Sequence, residues 1–262
     1  MAAERECGDQ PLRFYLEAIG CEATTAAAVV AARSAAAAAR EDPKRPTPPP
    51  EQLHDRNEAA AREAPAGAGK GEPSPQWREL ERRVASCRSC ALAERRTQTV
   101  FGSGDPDAEL LLIGEAPGRD EDLQGEPFVG RAGRLLNRML EAIDLTREAV
   151  QVINVVKCRP PNNRDPRPEE IAACRPFIEA QIRLVAPRVI LLLGRVAACA
   201  MLGEQRPLSV LRHRWHRIEG IPTLVTYHPA FLLRTPARKA DGWSDLLQLR
   251  ARLEAERGTA RR

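Results

Sequence analysis

Four short apolar runs leave this chain little choice of architecture: AELLLIG at 108–114, VQVINVV at 150–156, RVILLLG at 188–194 and IPTLVTYH at 221–228. Each is too short for a helix and reads as a buried strand. Helical patterns lie between them: RAGRLLNRMLEAI from Arg131, PEEIAACRPFIEAQIRLVA from Pro168 and RVAACAML from Arg195, with a final helix over roughly 242–255. Alternating strands and helices favour a mostly parallel α/β sheet with helices on both faces, because parallel strands need crossovers and the crossovers cover the sheet. Ligands of such sheets bind beyond the carboxyl ends of the strands. The unusual sequence lies there: GEAPGRDEDLQGEPFVG (114–130), CRPPNNRDPRP (158–168) and HPAFLLRTPARK (228–239). Three loops are thus expected to converge on one cleft.

The patterned sequence begins near Trp77, which divides the chain into an Ala-rich, helix-compatible extension (1–40), a linker (41–76) and one folded domain (77–262). Hydrophobic residues make up 43% of the chain but aromatics only 4%, so alanine runs supply much of the apolar total and only part of the chain need build a core. The stretch from Glu41 to Gln76, rich in Pro, Ala, Gly and charge, buries too little apolar area to offset ordering entropy and is expected to be disordered. Forty Lys and Arg against 36 Asp and Glu leave a charge of +4, too mild to prove a polyanionic partner. No apolar run approaches the roughly 18 residues that cross a bilayer, and MAAERECGDQ has no signal-peptide core. A soluble, cytoplasmic protein is expected, with no membrane partner.

Seven cysteines in a reducing compartment point to metal rather than disulfides. Cys87 and Cys90 form a Cys-x-x-Cys pair, and Cys158 and Cys174 enclose a proline-rich loop. Four thiolates suit zinc or an iron-sulfur cluster, and spacing alone does not choose. A thioredoxin-like redox pair would follow a strand, whereas this one precedes the first. Cys199 reads as core, and Cys7 and Cys21 as free thiols of the extension.

The motifs GEAPGRDEDLQGEPFVGRAGRLLNRML, INVVKCRPPNNRDPRPEEIAAC and YHPAFLLR, behind a leading CRSC, resemble the family 4, or iron-sulfur, uracil-DNA glycosylases over roughly residues 77–255. The resemblance implies a three-layer α/β/α sandwich with a central four-stranded parallel sheet. It also implies a 4Fe-4S cluster on Cys87, Cys90, Cys158 and Cys174, and hydrolysis of the N-glycosidic bond of uracil in DNA. An enzyme of this kind must flip the base out of the duplex, stack it and read its edge. By resemblance, Phe128 stacks on uracil, Asn154 pairs with its N3 and O4, and His228 bonds O2 and stabilises charge on the departing base. Glu121 sits beside C5, where it obstructs the methyl group of thymine, and the backbone around Ala116 approaches the base. Related families place Asp or Asn where this chain has Ala116, which leaves Glu115 as the nearest group to orient water. Leu232, Leu233 and Arg234 are wedge candidates; Arg238 and Lys239 are phosphate contacts, and Arg159, Arg164 and Arg167 extend that track. Asp120 and Asp122 read as solvated surface.

The expected partner is uracil-containing DNA, met by a monomer associated with a bacterial or archaeal nucleoid. Two other readings compete. A sister enzyme that attaches covalently to DNA carries a basic loop ending in His after the second strand, and this chain has no His there. A non-catalytic iron-sulfur DNA-binding module would not need Phe128, Asn154 and His228 together.

Overall fold

A computed structural model describes residues 73–259 and the single residue Leu16. The extension and linker read from the sequence therefore lie outside the described residues, apart from Leu16 and 73–76. Helix α1 (Pro75–Ala85) begins two residues before the expected boundary. Ser74 caps it by accepting from the Trp77 N–H at 3.1 Å, and Pro75 fills the first turn, where no amide donor is needed.

The strands are β1 (Ser103–Gly104), β2 (Leu110–Gly114), β3 (Gln151–Asn154), β4 (Val189–Leu193), β5 (His216–Ile218) and β6 (Ile221–Thr226). The remaining helices are α2 (Arg119–Gln124), α3 (Arg131–Glu141), α4 (Pro168–Val185), α5 (Arg195–Leu202), α6 (Leu208–Arg212), α7 (Pro229–Arg234) and α8 (Lys239–Thr259). The sheet order is β1-β3-β2-β4-β6-β5. Its middle four strands, the four apolar runs, are parallel, with Ile113 opposite Ile153 and Leu112 opposite Leu191. The sheet is six-stranded among the described residues, two more than expected. The additional edge strands are antiparallel and only two and three residues long.

Alternation along each strand builds the layers. Leu110, Leu112, Val152, Leu191 and Leu224 face a core completed by α3, α7 and α8. Leu111, Ile113, Ile153, Ile190 and Val225 face the opposite core under α4 and α5. Strands buried on both faces are apolar at most positions, which explains why these runs show no polar alternation; Gln151, Asn154, Thr223 and Thr226 are the buried polar exceptions. Leu16, to which the sequence assigned no part, is helical and wholly buried in the first of these cores.

Candidate active site

β2 ends at Gly114 directly opposite the last residue of β3, Asn154, at the carboxyl edge of the sheet. Glycine is required there: a Cβ would collide with Asn154 Oδ1 and lie 2.7 Å from the Phe128 ring. The Asn154 amide and the Phe128 ring thus meet over a strand end that has no side chain. Asn154 is 2% exposed, and its Oδ1 has no hydrogen-bond partner. Leaving a buried amide oxygen unpaired costs roughly 1–3 kcal/mol, and at this strand end Oδ1 is open to a further donor. The unpaired oxygens of Asn137, Gln151 and Gln181 lie on helices or at the amino end of β3.

Phe128 sits between α2 and α3 with φ of +58°, a left-handed conformation that costs a non-glycine residue on the order of 1 kcal/mol or more. Its ring centroid is 5.5 Å from that of His228, and the rings are inclined at 29°. His228 caps α7: its Nδ1 accepts from the Ala230 N–H at 3.1 Å, which assigns the proton of the neutral ring to Nε2. Burial, followed by the nearby Arg234 cation, lowers the His228 pKa to about 4. The imidazole is therefore a neutral donor near pH 7. Gly194, at φ +93°, admits it, since a Cβ there would lie 2.9 Å from His228 Cβ.

A buried network fixes the strand that delivers His228. Asp245 on α8 takes two hydrogen bonds from Arg212 on α6, at 2.9 and 3.0 Å, and one from Thr226 Oγ1 at 2.6 Å. The Arg212 guanidinium lies 3.9 Å from the centroid of Tyr227, whose ring stacks on Phe231 of α7.

Glu115 follows Gly114. Burial and the negative charge of Asp165 raise its carboxyl to about 7, against the pull of Arg195 and Arg234. Groups from all three expected loops therefore meet at this edge, joined by Arg195 from the turn after β4. Ala116 is partly exposed beside Glu115. Glu121 is more committed than its assigned part required: its carboxylate accepts from the N–H groups of Gly118, Val129 and Gly130 at 3.1, 3.0 and 3.0 Å.

Several expectations are corrected. Asp122 is 4% exposed, not solvated, because it accepts from Thr97 N and Oγ1. Leu232 is packed in the core beneath α7, which removes it as a wedge and leaves the partly exposed Leu233 and the exposed Arg234. Lys239 is buried as well, whereas Arg238 is exposed beside Asp241. Arg164 is committed to Glu170 by two hydrogen bonds of 2.6 and 2.8 Å, so it braces the start of α4 and is not available to phosphate. Arg159 and Arg167 retain surface exposure.

Cys87, Cys90, Cys158 and Cys174 line one cavity with Arg96 and Lys157. All four are free thiols, and Arg96 Nη1 donates to Cys158 Sγ at 3.1 Å. Burial pushes the Cys158 thiol up and that of Cys174 to about 11. The sulfurs surround a space and do not converge: among the described residues, no three His, Cys, Asp or Glu side chains gather closely enough for a single ion. Lys157 links this cavity to the pocket, donating to Asn154 O at 3.0 Å and Phe101 O at 3.2 Å. Cys199 is buried in the core, as its sequence context suggested.

The sequence reading missed Arg195, Lys157, Arg147 and the Arg212–Asp245 pair. Only Arg195 carried a usable signal, since the carboxyl-end rule applies to the turn after β4 as much as to the others.

Comparison with known proteins agrees with this geometry. Residues 101–247 match the model of the uracil DNA glycosylase superfamily. The type-4 uracil-DNA glycosylase of Archaeoglobus fulgidus is 42% identical over 179 residues, covering 65% of this chain and 90% of that protein. The type-4 enzyme of Thermotoga maritima is 44% identical over 158 residues, 59% of this chain and 82% of its own. A type-5 uracil-DNA glycosylase of Thermus thermophilus is 35% identical over 149 residues, 49% of this chain and 68% of its own. A family match over more than half the chain makes this protein a member of the uracil DNA glycosylase superfamily.

Proposed function

We propose that this enzyme is a DNA-repair glycosylase that flips uracil out of DNA, hydrolyses its N-glycosidic bond and leaves an abasic site. The observation that carries this reading is the buried, unpaired Asn154 Oδ1 beside Phe128 and His228. Uracil presents an N3–H donor next to the O4 acceptor, the pattern one amide side chain satisfies, whereas cytosine reverses it. Phe128 supplies the stacking face.

As the bond to the sugar breaks, negative charge grows on the departing base. The Nε2–H of neutral His228 donates to O2 and stabilises that charge without a proton transfer. Glu115, with Ala116 beside it, is the group we assign to orienting water toward the electron-deficient sugar, a step that needs no strong base because the sugar cation is itself electrophilic. Leu233 and Arg234 enter the space the base vacates, and Arg238 holds phosphate.

The four cysteines fit a 4Fe-4S cluster better than one zinc ion, because they border a common cavity without meeting at a point. Such a group would supply structural cross-linking of the α1 region, the 158–168 loop and α4. Lys157 would carry its rigidity to the Asn154 backbone. Iron and sulfide in the purified protein, with broad absorption near roughly 400 nm, are expected; colourless protein holding stoichiometric zinc contradicts the assignment.

One chain supplies every group named here, so the proposal is a monomer acting on cellular DNA; no helix among the described residues is long and apolar enough to cross a membrane. The decisive assay incubates the protein with uracil-containing and thymine-containing oligonucleotides and cleaves abasic sites with alkali. Cleavage of the uracil strand alone is expected. An uncleaved uracil strand contradicts the proposal.

A further inference from the structure

The backbone on both sides of Phe128 is held by side chains that come from elsewhere in the fold. On one side, Arg147 Nη2 donates to the carbonyl of Pro127 at 2.7 Å and to Ser103 Oγ at 2.8 Å, tying the residue before Phe128 to edge strand β1. On the other, Glu121 Oε1 accepts from the N–H groups of Val129 and Gly130, both at 3.0 Å. Its Oε2 accepts from Gly118, the N-cap of α2. Between these anchors stands Phe128 at φ +58°.

We propose that Arg147 and Glu121 are positioning residues that clamp Phe128 in its left-handed conformation, so that its ring is already set to stack on the flipped base. The inference rests on the glycosylase reading and adds two residues to it. Relaxing Phe128 to a right-handed or extended conformation would swing the Pro127 carbonyl or the Val129 N–H out of reach, so the clamp and the strain exclude each other's release. The second guanidinium nitrogen of Arg147, Nη1, is buried without a partner, and burial lowers the pKa of this residue. The carboxylates of Glu126 and Glu148 offset part of that burial, and the hydrogen bonds of Nη2 go to Pro127 O and Ser103 Oγ, which fixes the guanidinium against the backbone before Phe128. Glu121 is thereby given a different task from obstructing thymine: both of its oxygens are occupied by backbone donors.

The test is a double-mutant cycle on single-turnover uracil release, with binding to abasic DNA and melting temperature measured in parallel. Arg147→Met is expected to slow release by about 10- to 100-fold, the scale of a small misplacement of a reacting partner. Abasic-DNA affinity, which does not use the stack, is expected to stay within about twofold of the wild type, well below that loss. In a Phe128→Ala background the same substitution should cost almost nothing, because the residue it positions has gone. A wild-type rate for Arg147→Met, or a cost that persists in full beside Phe128→Ala, overturns the proposal. If Arg147→Met does not fold, Arg147→Lys enters the same cycle with a smaller expected loss, since one ammonium cannot reproduce the guanidinium's geometry. Glu121→Ala is expected to slow uracil release and to gain no thymine release. Thymine release with an unchanged uracil rate would overturn its part. Wild-type protein measured alongside separates the two levels: an inactive wild type removes the glycosylase reading itself, whereas an active wild type with an indifferent Arg147 removes only the clamp.

Discussion

Glu115 lies one residue beyond β2 and His228 two beyond β6, with β4 between those strands, yet burial moves their pKa values in opposite directions. The same desolvation that keeps the imidazole neutral down to about 4 keeps the carboxyl protonated up to about 7. A Glu115 that orients water as a carboxylate gives a uracil-release rate that rises with pH through about 7, and Glu115→Gln should flatten that rise. The dependence on His228 should appear only near pH 4, where protonation of Nδ1 breaks its bond from Ala230. Stability has its own window. An unfolded chain takes up the His228 proton at its ordinary pKa of 6.5, and the folded chain not until about 4, so this residue makes the fold less stable as pH falls between those values. Glu115 acts with the reverse sign: folded protein holds its proton to about 7 against an ordinary 4.5, so stability is lost as pH rises through that range. Rates and melting temperatures of wild type, Glu115→Gln and His228→Ala across pH separate the two groups.

At the scale of elements, the end of β6 matters most, because it aims His228 and carries α7. Its anchor is the Arg212–Asp245 pair, with both side chains 2% exposed. Removing one member strands the other: Asp245→Ala is expected to cost about 3–5 kcal/mol in denaturant unfolding, whereas replacing both with apolar residues of similar volume should cost far less. Equal destabilisation by the single and double changes would contradict this account. None of this network was legible in the sequence. The central strands were, because burial on both faces writes a mostly apolar run. Edge strands β1 and β5 were not, because Ser103–Gly104 and His216–Ile218 carry no such run. A polar residue's partner has no local signature either: Asp122 bonds Thr97, 25 residues away, and Arg212 bonds Asp245, 33 residues away. The Cys87–Cys90 pair stood out by its spacing, whereas Phe128, Asn154 and His228, spread over three strand-end motifs, were picked out together only by the family resemblance.

The whole molecule joins two sites through short connections. The cysteine cavity lies on the α4 side, and Lys157 spans from its lining to the Asn154 carbonyl, a single hydrogen bond between the cavity and the strand end that carries Asn154. On the other side, Leu16 makes part of the long N-terminal stretch a contributor to the core. Leu16→Ala is expected to cost roughly 2–5 kcal/mol, as for other large-to-small core changes, and an unchanged unfolding midpoint would show that this contact contributes nothing. Everything converges on the claim that the chain releases uracil by reading it with Asn154. The most direct measurement is the single-turnover rate of uracil release by wild type and by Asn154→Ala protein of matched folding. The account predicts rapid release by the wild type and a loss on the order of 100-fold or more in the variant, the scale for removing a preorganised hydrogen bond at the reacting group. Equal rates in the two proteins would contradict it.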